Sequence, residues 1–283
     1  MLTVDAPAKL NLVLEVLGRR GERHTISSIA QTVGLYDRLT FAPSSDIEFT
    51  CSEPALIDDN LVPRAARLLR ERCGRGPGAR IHLEKHIPWG AGLGGGSSDA
   101  AATLRALNRL WQARLSLDDL TSLGAQLGSD VPLFLLGGTV LIEGTGEQVR
   151  PLPAHPPAHA VVLLPDRPSP PGKTGLMYSL LRPEMFTRGQ FVRAAGFALG
   201  EGGRIPDILR FNAFEHVAAG VFPDIETRRS LLEQASGAPV HLAGSGPCLY
   251  APVDSPARAA DAAVALERGG HRAVVAPFTR QRA

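Results

Sequence analysis

The chain has 283 residues, enough for two domains of ordinary size, and its 30 Lys and Arg against 28 Asp and Glu leave a formal charge of +2. So even a balance excludes the basic field of a nucleic-acid binder and points to a small-molecule partner. Cys51, Cys73 and Cys248 are an odd number at unrelated spacings, against a disulfide framework or zinc site and for a reducing, cytoplasmic setting; the apolar N-terminus alternates and carries Asp5 and Lys9, so it reads as neither signal peptide nor membrane span.

Residues 2–17 alternate and predict a strand, with Leu10, Leu12 and Leu14 on one face and Asn11, Val13 and Glu15 on the other. On pattern alone, Lys9 inside it is a solvent-facing lysine. A polar turn over 18–22 leads to a second strand over 23–41, a hairpin partner extended by 46–51. His24, at its start, reads by itself as a surface residue. Asp58 and Asp59 are the expected cap of a helix over 60–73, whose Leu61, Ala65, Leu68 and Leu69 form an inward stripe, and a turn at 74–78 ends it. A strand over 79–87 then delivers the chain to residues 88–108, PWGAGLGGGSSDAAATLRALN.

Gly90, Gly92, Gly94, Gly95 and Gly96 crowd this stretch. Inside a helix or strand each would cost roughly 0.5–1 kcal/mol relative to alanine, so the backbone here serves close approach to a ligand. Ser97, Ser98 and Asp99 are cap-type residues, and AAATLRALNRLW follows with apolar side chains at helical spacing. A glycine loop opening onto a helix N-terminus offers unpaired N–H groups and the positive end of the macrodipole to an anion, most obviously a nucleotide phosphate. A Walker loop would have Lys before Ser or Thr after the last glycine, where this chain has Ser97-Ser98. Gly90, Gly92 and Gly95 spell GxGxxG, but the charged, alternating RIHLEKHIP precedes them. The acids at about the right distance, Asp118 and Asp119, open a helix, which counts against a dinucleotide oxidoreductase. A long surface loop is the bland alternative, and a capped, striped helix directly after it counts against that too.

Ser116 and Gly128 bound the next helix. Asp130 follows, wedged before Val131-Pro132 and an apolar strand; a carboxylate there is costly unless paired or used, or it is a turn cap. Proline-rich residues 150–160 predict an interdomain linker, dividing the chain into domains over 1–152 and 153–283. A buried strand at VVLLP and a loop over 165–172 run into a helix. Further helices are expected at about 188–199, 206–219 and 224–236, then a strand over 239–242, the turn Gly244-Ser245-Gly246-Pro247, a helix over 256–269 and a strand over 272–277.

Three segments in one order, PAKLNL at 7–12, PWGAGLGGGSS at 88–98 and GSGP at 244–247, resemble the motifs of the GHMP kinases, named for galactokinase, homoserine, mevalonate and phosphomevalonate kinases. The three consecutive glycines before the serine pair most resemble members acting on a cytidyl diphosphate sugar alcohol. The resemblance implies an α+β two-domain fold, the N-terminal domain like domain 2 of ribosomal protein S5 and the C-terminal domain ferredoxin-like. It implies ATP with Mg²⁺, no nucleic-acid or membrane partner, and a monomer or weak homodimer. It makes Asp130, in a Gly-x-Asp-Val-Pro context, the general base, and Lys9 the residue that orients it and stabilises the developing alkoxide. Nucleotide contacts are carried over to Asn60, Leu61, Lys85, Pro88, Gly90, Ala91, Gly92, Leu93, Gly94, Gly95, Gly96, Ser97 and Ser98. Substrate contacts fall on Asn11, His24, Thr174, Tyr178, Gly244 and Ser245. The segment before His24 departs from the family: Arg23 stands where a tyrosine is usual and the preceding Asp-Gly is missing, although a guanidinium plane can also stack on a pyrimidine. NAFE at 212–215 replaces the usual Asn-Asp-Leu-Glu. The alternatives are a kinase of a smaller alcohol, such as homoserine or mevalonate, and a non-catalytic nucleotide-binding protein on the same fold.

Overall fold

The computed structural model describes residues 1–74, 77–166, 169 and 172–280, so the turn expected at 74–78 and the loop expected at 165–172 lie partly outside the described residues. The chain forms two compact units, each discontinuous in sequence: Met1–Ala8, Tyr36–Ile87 and Gly94–Leu136 in the first, Lys9–Leu35, Pro88–Leu93 and Gly137–Ala283 in the second. Two long strands, β1 (Leu2–Arg20) and β2 (Arg23–Ser44), contribute to both. No helix among the described residues is long and apolar enough to cross a membrane.

In the first unit the end of β2 pairs antiparallel with β4 (Gly78–Glu84), which pairs parallel with β3 (Ile47–Cys51). Four helices pack together there: α1 (Leu61–Arg72), α2 (Gly95–Leu110), α3 (Leu117–Leu127) and α4 (Val131–Leu136). The start of α1 is capped by Asn60, which accepts from the Val62 N–H, and not by Asp58 or Asp59, which precede the turn. A capping box between Ser116 and Asp119 opens α3 as its sequence predicts. The expected strand after Asp130 is helix α4. Val131, Pro132, Leu133, Phe134 and Leu135 are all buried, and a short all-apolar run has no periodicity to tell strand from helix.

Helix α2 starts from Gly94 in the left-handed region (φ 73°), so Ser97, Ser98 and Asp99 lie inside its first turns instead of capping it. Asp99 turns inward, where the Lys85 ammonium lies 2.9 Å from its Oδ2 and 2.5 Å from Oδ2 of Asp37 on β2. Oδ1 of Asp37 accepts the backbone N–H groups of His86 and Ile87 at 2.6 and 2.8 Å. All three side chains are almost wholly buried. Burial pushes the Asp99 carboxyl up to about 7, the nearby Asp37 charge adding to the shift and Lys85 opposing it. Burial alone would lower Lys85, but the two carboxylates hold it above the ordinary lysine range.

In the second unit the start of β2 pairs antiparallel with β5 (Thr139–Glu143), and β5 with β6 (Gln148–Pro151), so the expected linker begins as a strand end. A second, wholly antiparallel sheet holds β7 (His159–Leu163), β8 (His241–Leu242), β9 (Leu249–Val253) and β10 (Ala273–Pro277) in the order β10-β7-β9-β8. Counted within this sheet the order is fourth, first, third, second, the ferredoxin-like arrangement. Around it run α5 (Lys173–Leu180), α6 (Gln190–Gly200), α7 (Glu215–Val221), α8 (Ile225–Ser236) and α9 (Pro256–Arg268). Val161, Leu163, Leu232, Leu249, Ala262 and Leu266 are central to its core.

The helix expected over 206–219 forms only from Glu215. Ahead of it Asn212 makes a bridge to Leu14, donates to the carbonyls of Leu242 and Gly244, and accepts the Phe214 N–H, bonds that a helical Asn212 would lose. The alternation of β1 is also overridden: Asn11, Val13 and Glu15 are buried along with Leu10, Leu12 and Leu14. Oε2 of Glu15 accepts the Val192 N–H at 2.7 Å, placing a carboxylate at the positive end of α6.

Removing a partner from a buried ion cluster leaves uncompensated charge. Asp37→Ala should therefore cost about 3–5 kcal/mol of unfolding free energy. Arg80→Ala, which deletes the exposed pair with Glu48, should cost far less. Urea denaturation of both variants measures this, and equal small losses would reduce the cluster to a surface-type interaction.

Candidate active site

Of the predicted residues in the first unit, Asn60 and Leu61 form the start of α1, where the Asn60 amide also donates to the Leu56 carbonyl. Lys85 is held between its two carboxylates. Gly94, Gly95, Gly96, Ser97 and Ser98 make the cap and first turn of α2, whose leading N–H groups have no partner within the helix. A Cβ added at Gly96 would meet nothing within 4 Å, so open space faces this turn. The Ser98 hydroxyl is buried without a hydrogen-bond partner. Asp130, half-buried, lies in the connection from α3 to α4. At its start a Cβ on Gly128 would be 3.9 Å from Ser97 Oγ, so the turn carrying Asp130 runs beside the first turn of α2.

In the second unit the PAKLNL and GSGP segments meet. Lys9 Nζ donates to Asn11 Oδ1 at 2.5 Å, and Asn11 Nδ2 donates to Ser28 Oγ at 2.8 Å. A Cβ on Gly244 would stand 2.8 Å from the Gly92 carbonyl oxygen, 3.2 Å from Lys9 Nζ and 3.3 Å from Asn11 Oδ1. Gly92 (φ 86°) is in turn so close to Ala243 that a Cβ would overlap its carbonyl oxygen. Backbone bonds from Lys9 N to Leu93 O and from Cys248 N to Ala91 O complete the junction. Pro88 is half-buried, while Gly90 is exposed on one side and has Ser169 on the other, 3.3 Å from where a Cβ would stand.

Helix α5 supplies two of the predicted residues one turn apart. Thr174 Oγ1 is 3.0 Å from Ser245 Oγ, while the Tyr178 ring stacks on His24 with centroids 4.8 Å apart. Arg19 Nε donates to His24 Nε2 at 3.0 Å, which assigns the imidazole proton to Nδ1. Burial and then the Arg19 charge lower the His24 pKa, keeping the ring neutral. Arg23 is exposed.

Sequence reasoning missed several of these parts. Lys173 precedes Thr174 and is buried, its ammonium donating to Ser245 Oγ (2.7 Å), the Ser245 carbonyl (3.1 Å) and the Gly246 carbonyl. Burial, then the Lys9 charge, pull it down to about 8. The Tyr250 phenol donates to the Asn11 carbonyl at 2.9 Å, and burial pushes its pKa up to about 12, so it stays a donor. Asp37 did leave a trace, an acid inside the apolar strand GLYDRLTF.

These pieces have counterparts in known proteins. Residues 60–138 match the model of the GHMP kinases N terminal domain and residues 194–272 that of the GHMP kinases C terminal region. A 4-diphosphocytidyl-2-C-methyl-D-erythritol kinase from Dehalococcoides mccartyi is 43% identical over 252 residues, 88% of each chain. A crystal structure of 4-(cytidine 5'-diphospho)-2C-methyl-D-erythritol kinase superposes with a TM-score of 0.83 at 39% identity, covering 98% of this chain and 99% of that one. A homoserine kinase from Cytophaga hutchinsonii, at 20% identity and a TM-score of 0.75 over 99% and 95% of the two chains, shares the fold. The chain belongs to the GHMP kinases and, among them, to the 4-diphosphocytidyl-2-C-methyl-D-erythritol kinases. It is accordingly an enzyme, an ATP-dependent phosphotransferase with an alcohol acceptor.

Two glycines of the loop should respond differently to a methyl group. Gly96→Ala has room in the fold but fills the space in front of α2, so ATP binding should weaken about tenfold or more while the melting temperature holds. Gly92→Ala strains a left-handed residue against the Ala243 carbonyl and should lower the melting temperature. Calorimetric titration with ATP and thermal melts test the pair; wild-type ATP affinity in Gly96→Ala would remove this turn from the phosphate site.

Proposed function

We propose that the chain transfers the γ-phosphoryl group of ATP to the 2-hydroxyl of 4-diphosphocytidyl-2-C-methyl-D-erythritol, in the non-mevalonate route to isoprenoids, with Asp130 as general base. The observation that carries this is the start of α2: a bare turn with open space at Gly96, an unpartnered buried hydroxyl on Ser98, and the turn bearing Asp130 alongside Ser97. The N–H groups of that turn and the helix dipole hold the transferred phosphates. Asp130 takes the proton of the attacking hydroxyl, and the Lys9 ammonium stabilises the alkoxide as it develops. Lys9 is fit for this because Asn11, itself fixed by Ser28 and Tyr250, holds its position.

Among the described residues no cluster of three or more His, Cys, Asp or Glu side chains could hold a metal. Mg²⁺ in such sites is bound mainly by the nucleotide with one or two protein oxygens, which the unpartnered Ser98 hydroxyl at the start of α2 can supply. Ser97 and Ser98 are the hydroxyls we assign to it, and its chemistry when bound is to neutralise triphosphate charge. Ser245, braced by Lys173 and Thr174, serves the same phosphoryl end of the substrate. The neutral His24 and Tyr178 rings serve the cytosine end. We further assign the chain to the cytoplasm as a monomer or weak homodimer, its family domains divided at 152/153, between the two matched regions.

Coupled ADP release with the cytidyl substrate, beside homoserine and mevalonate, tests the reading: turnover is expected with the first alone, and CTP or CDP should compete with it. Turnover of either small alcohol without competition by CTP would favour a smaller acceptor. Asp130→Asn should lower turnover about 10²–10⁴-fold and leave ATP binding within a few fold. Normal turnover in that variant would take Asp130 out of the mechanism.

A further inference from the structure

We infer that the second unit carries another binding site, for a small amphipathic anion: a short aliphatic chain ending in a phosphate or carboxylate. The site is a cavity of about 450 Å³ between the β1–β2–β5 portion of the sheet and helix α6, within the size range of small-molecule sites. Its apolar wall is made by Leu17, Ile29, Leu141, Leu152 and Val192, three of which are buried in the core. Arg150, Arg188 and Arg193 also line it, together with one acid, Glu143.

None of the residues assigned above to phosphoryl transfer or substrate is among these. The strand alternation separates the two regions: Ser28 meets Asn11 on one face of β2, so Ser27 and Ile29, which line the cavity, project from the other.

The charge pattern names the ligand. Three guanidinium groups and one carboxylate leave the rim net positive, and among the described residues none of the three arginines forms an ion pair. Arg193 donates instead to the backbone carbonyl of Arg188 at 2.7 Å, which fixes its guanidinium beside the start of α6. Guanidinium forks match carboxylate and phosphate oxygens, so three arginines around an apolar floor offer donors to an anionic head group. The apolar wall would gain nothing from an inorganic anion; it matches a hydrocarbon chain attached to that head.

Gly196 adds a second, independent observation. It lies inside α6, where alanine would be the better helix former, and it lines the cavity. A Cβ there would meet nothing within 4 Å. The missing side chain leaves the cavity open at a cost in helix propensity, so a larger residue can plug it without straining the fold.

Titration calorimetry on the full chain with octyl phosphate and octanoate, with inorganic phosphate and octanol as controls, tests the site. One equivalent of an octyl anion should bind, and the tighter of the two identifies the head group. Gly196→Leu, and separately the double variant Arg188→Gln with Arg193→Gln, should each weaken that binding about tenfold or more. The melting temperature of Gly196→Leu should be no lower than that of the parent chain. The proposal is overturned if neither octyl anion binds, if both variants bind as the parent does, or if inorganic phosphate or octanol alone binds as tightly as the amphiphiles. Because the readout is binding of a ligand that is neither ATP nor its acceptor, failure here leaves the kinase reading intact.

Discussion

A loop proposed to hold phosphates has to be bare in its middle and fixed at its ends, and in the first unit two carboxylates closing on one lysine fix the start of α2. Asp37 holds the strand end, the N–H groups of His86 and Ile87 and the Lys85 ammonium; Asp99 draws the same ammonium to the second turn of α2. Strand, lead-in and helix are thereby fixed in one register. The cluster is buried, so its desolvation cost offsets much of its Coulomb attraction, and its four short bonds are poor evidence of net stability. What directional bonds supply, and a leucine core of the same volume would not, is one orientation of the helix start. That orientation decides where the unpaired N–H groups of Gly95, Gly96 and Ser97 are aimed.

The second unit solves a related problem with close approach. Gly92 and Gly244 let two backbone segments come within contact of each other and of Lys9, which is possible only because neither carries a Cβ. The Lys9 charge reaches Lys173, whose pKa is lowered to about 8 by burial and then by that repulsion. Tyr250 and Ser28, neither of them charged, keep Asn11 and hence Lys9 in place through bonds that do not compete for the ammonium's charge.

How much of this was legible in the chain follows from what each signal depends on. The glycine run, the serines after it and the helix beyond were readable because glycine and cap residues carry local backbone meaning. The ferredoxin-like strand order was readable only through the resemblance, since strand pairing is set by contacts distant in sequence. Where Asp58, Asp59, Ser97 and Ser98 were expected to cap helices, Asn60 and Gly94 do so, a shift of one to four residues that propensity cannot resolve. Residues 131–136 lacked any period, and Asn212 broke an expected helix for the sake of bonds to Leu242 and Gly244 that no local pattern announces. Asp37 left only the trace of an acid in an apolar strand and Lys173 left none, because a partner some fifty or seventy positions away is invisible until the chain is folded.

The departure at Arg23 loses much of its force once α5 is considered. Thr174 and Tyr178 are four residues apart, so about 6 Å of helix separates the contact with Ser245 from the aromatic stack. A small alcohol such as homoserine would occupy the Ser245 end and leave the stacked rings idle. A substrate whose hydroxyl is joined through a diphosphate to a pyrimidine needs both ends, with a flat apolar face at the far one. The chain supplies that face from Tyr178 and a neutral His24, the latter kept neutral by burial and by Arg19, whose hydrogen bond leaves the Nδ1 proton available as a donor. The stack of Tyr178 on His24 forms without the exposed arginine at position 23, so the proposed base-binding surface does not depend on that side chain.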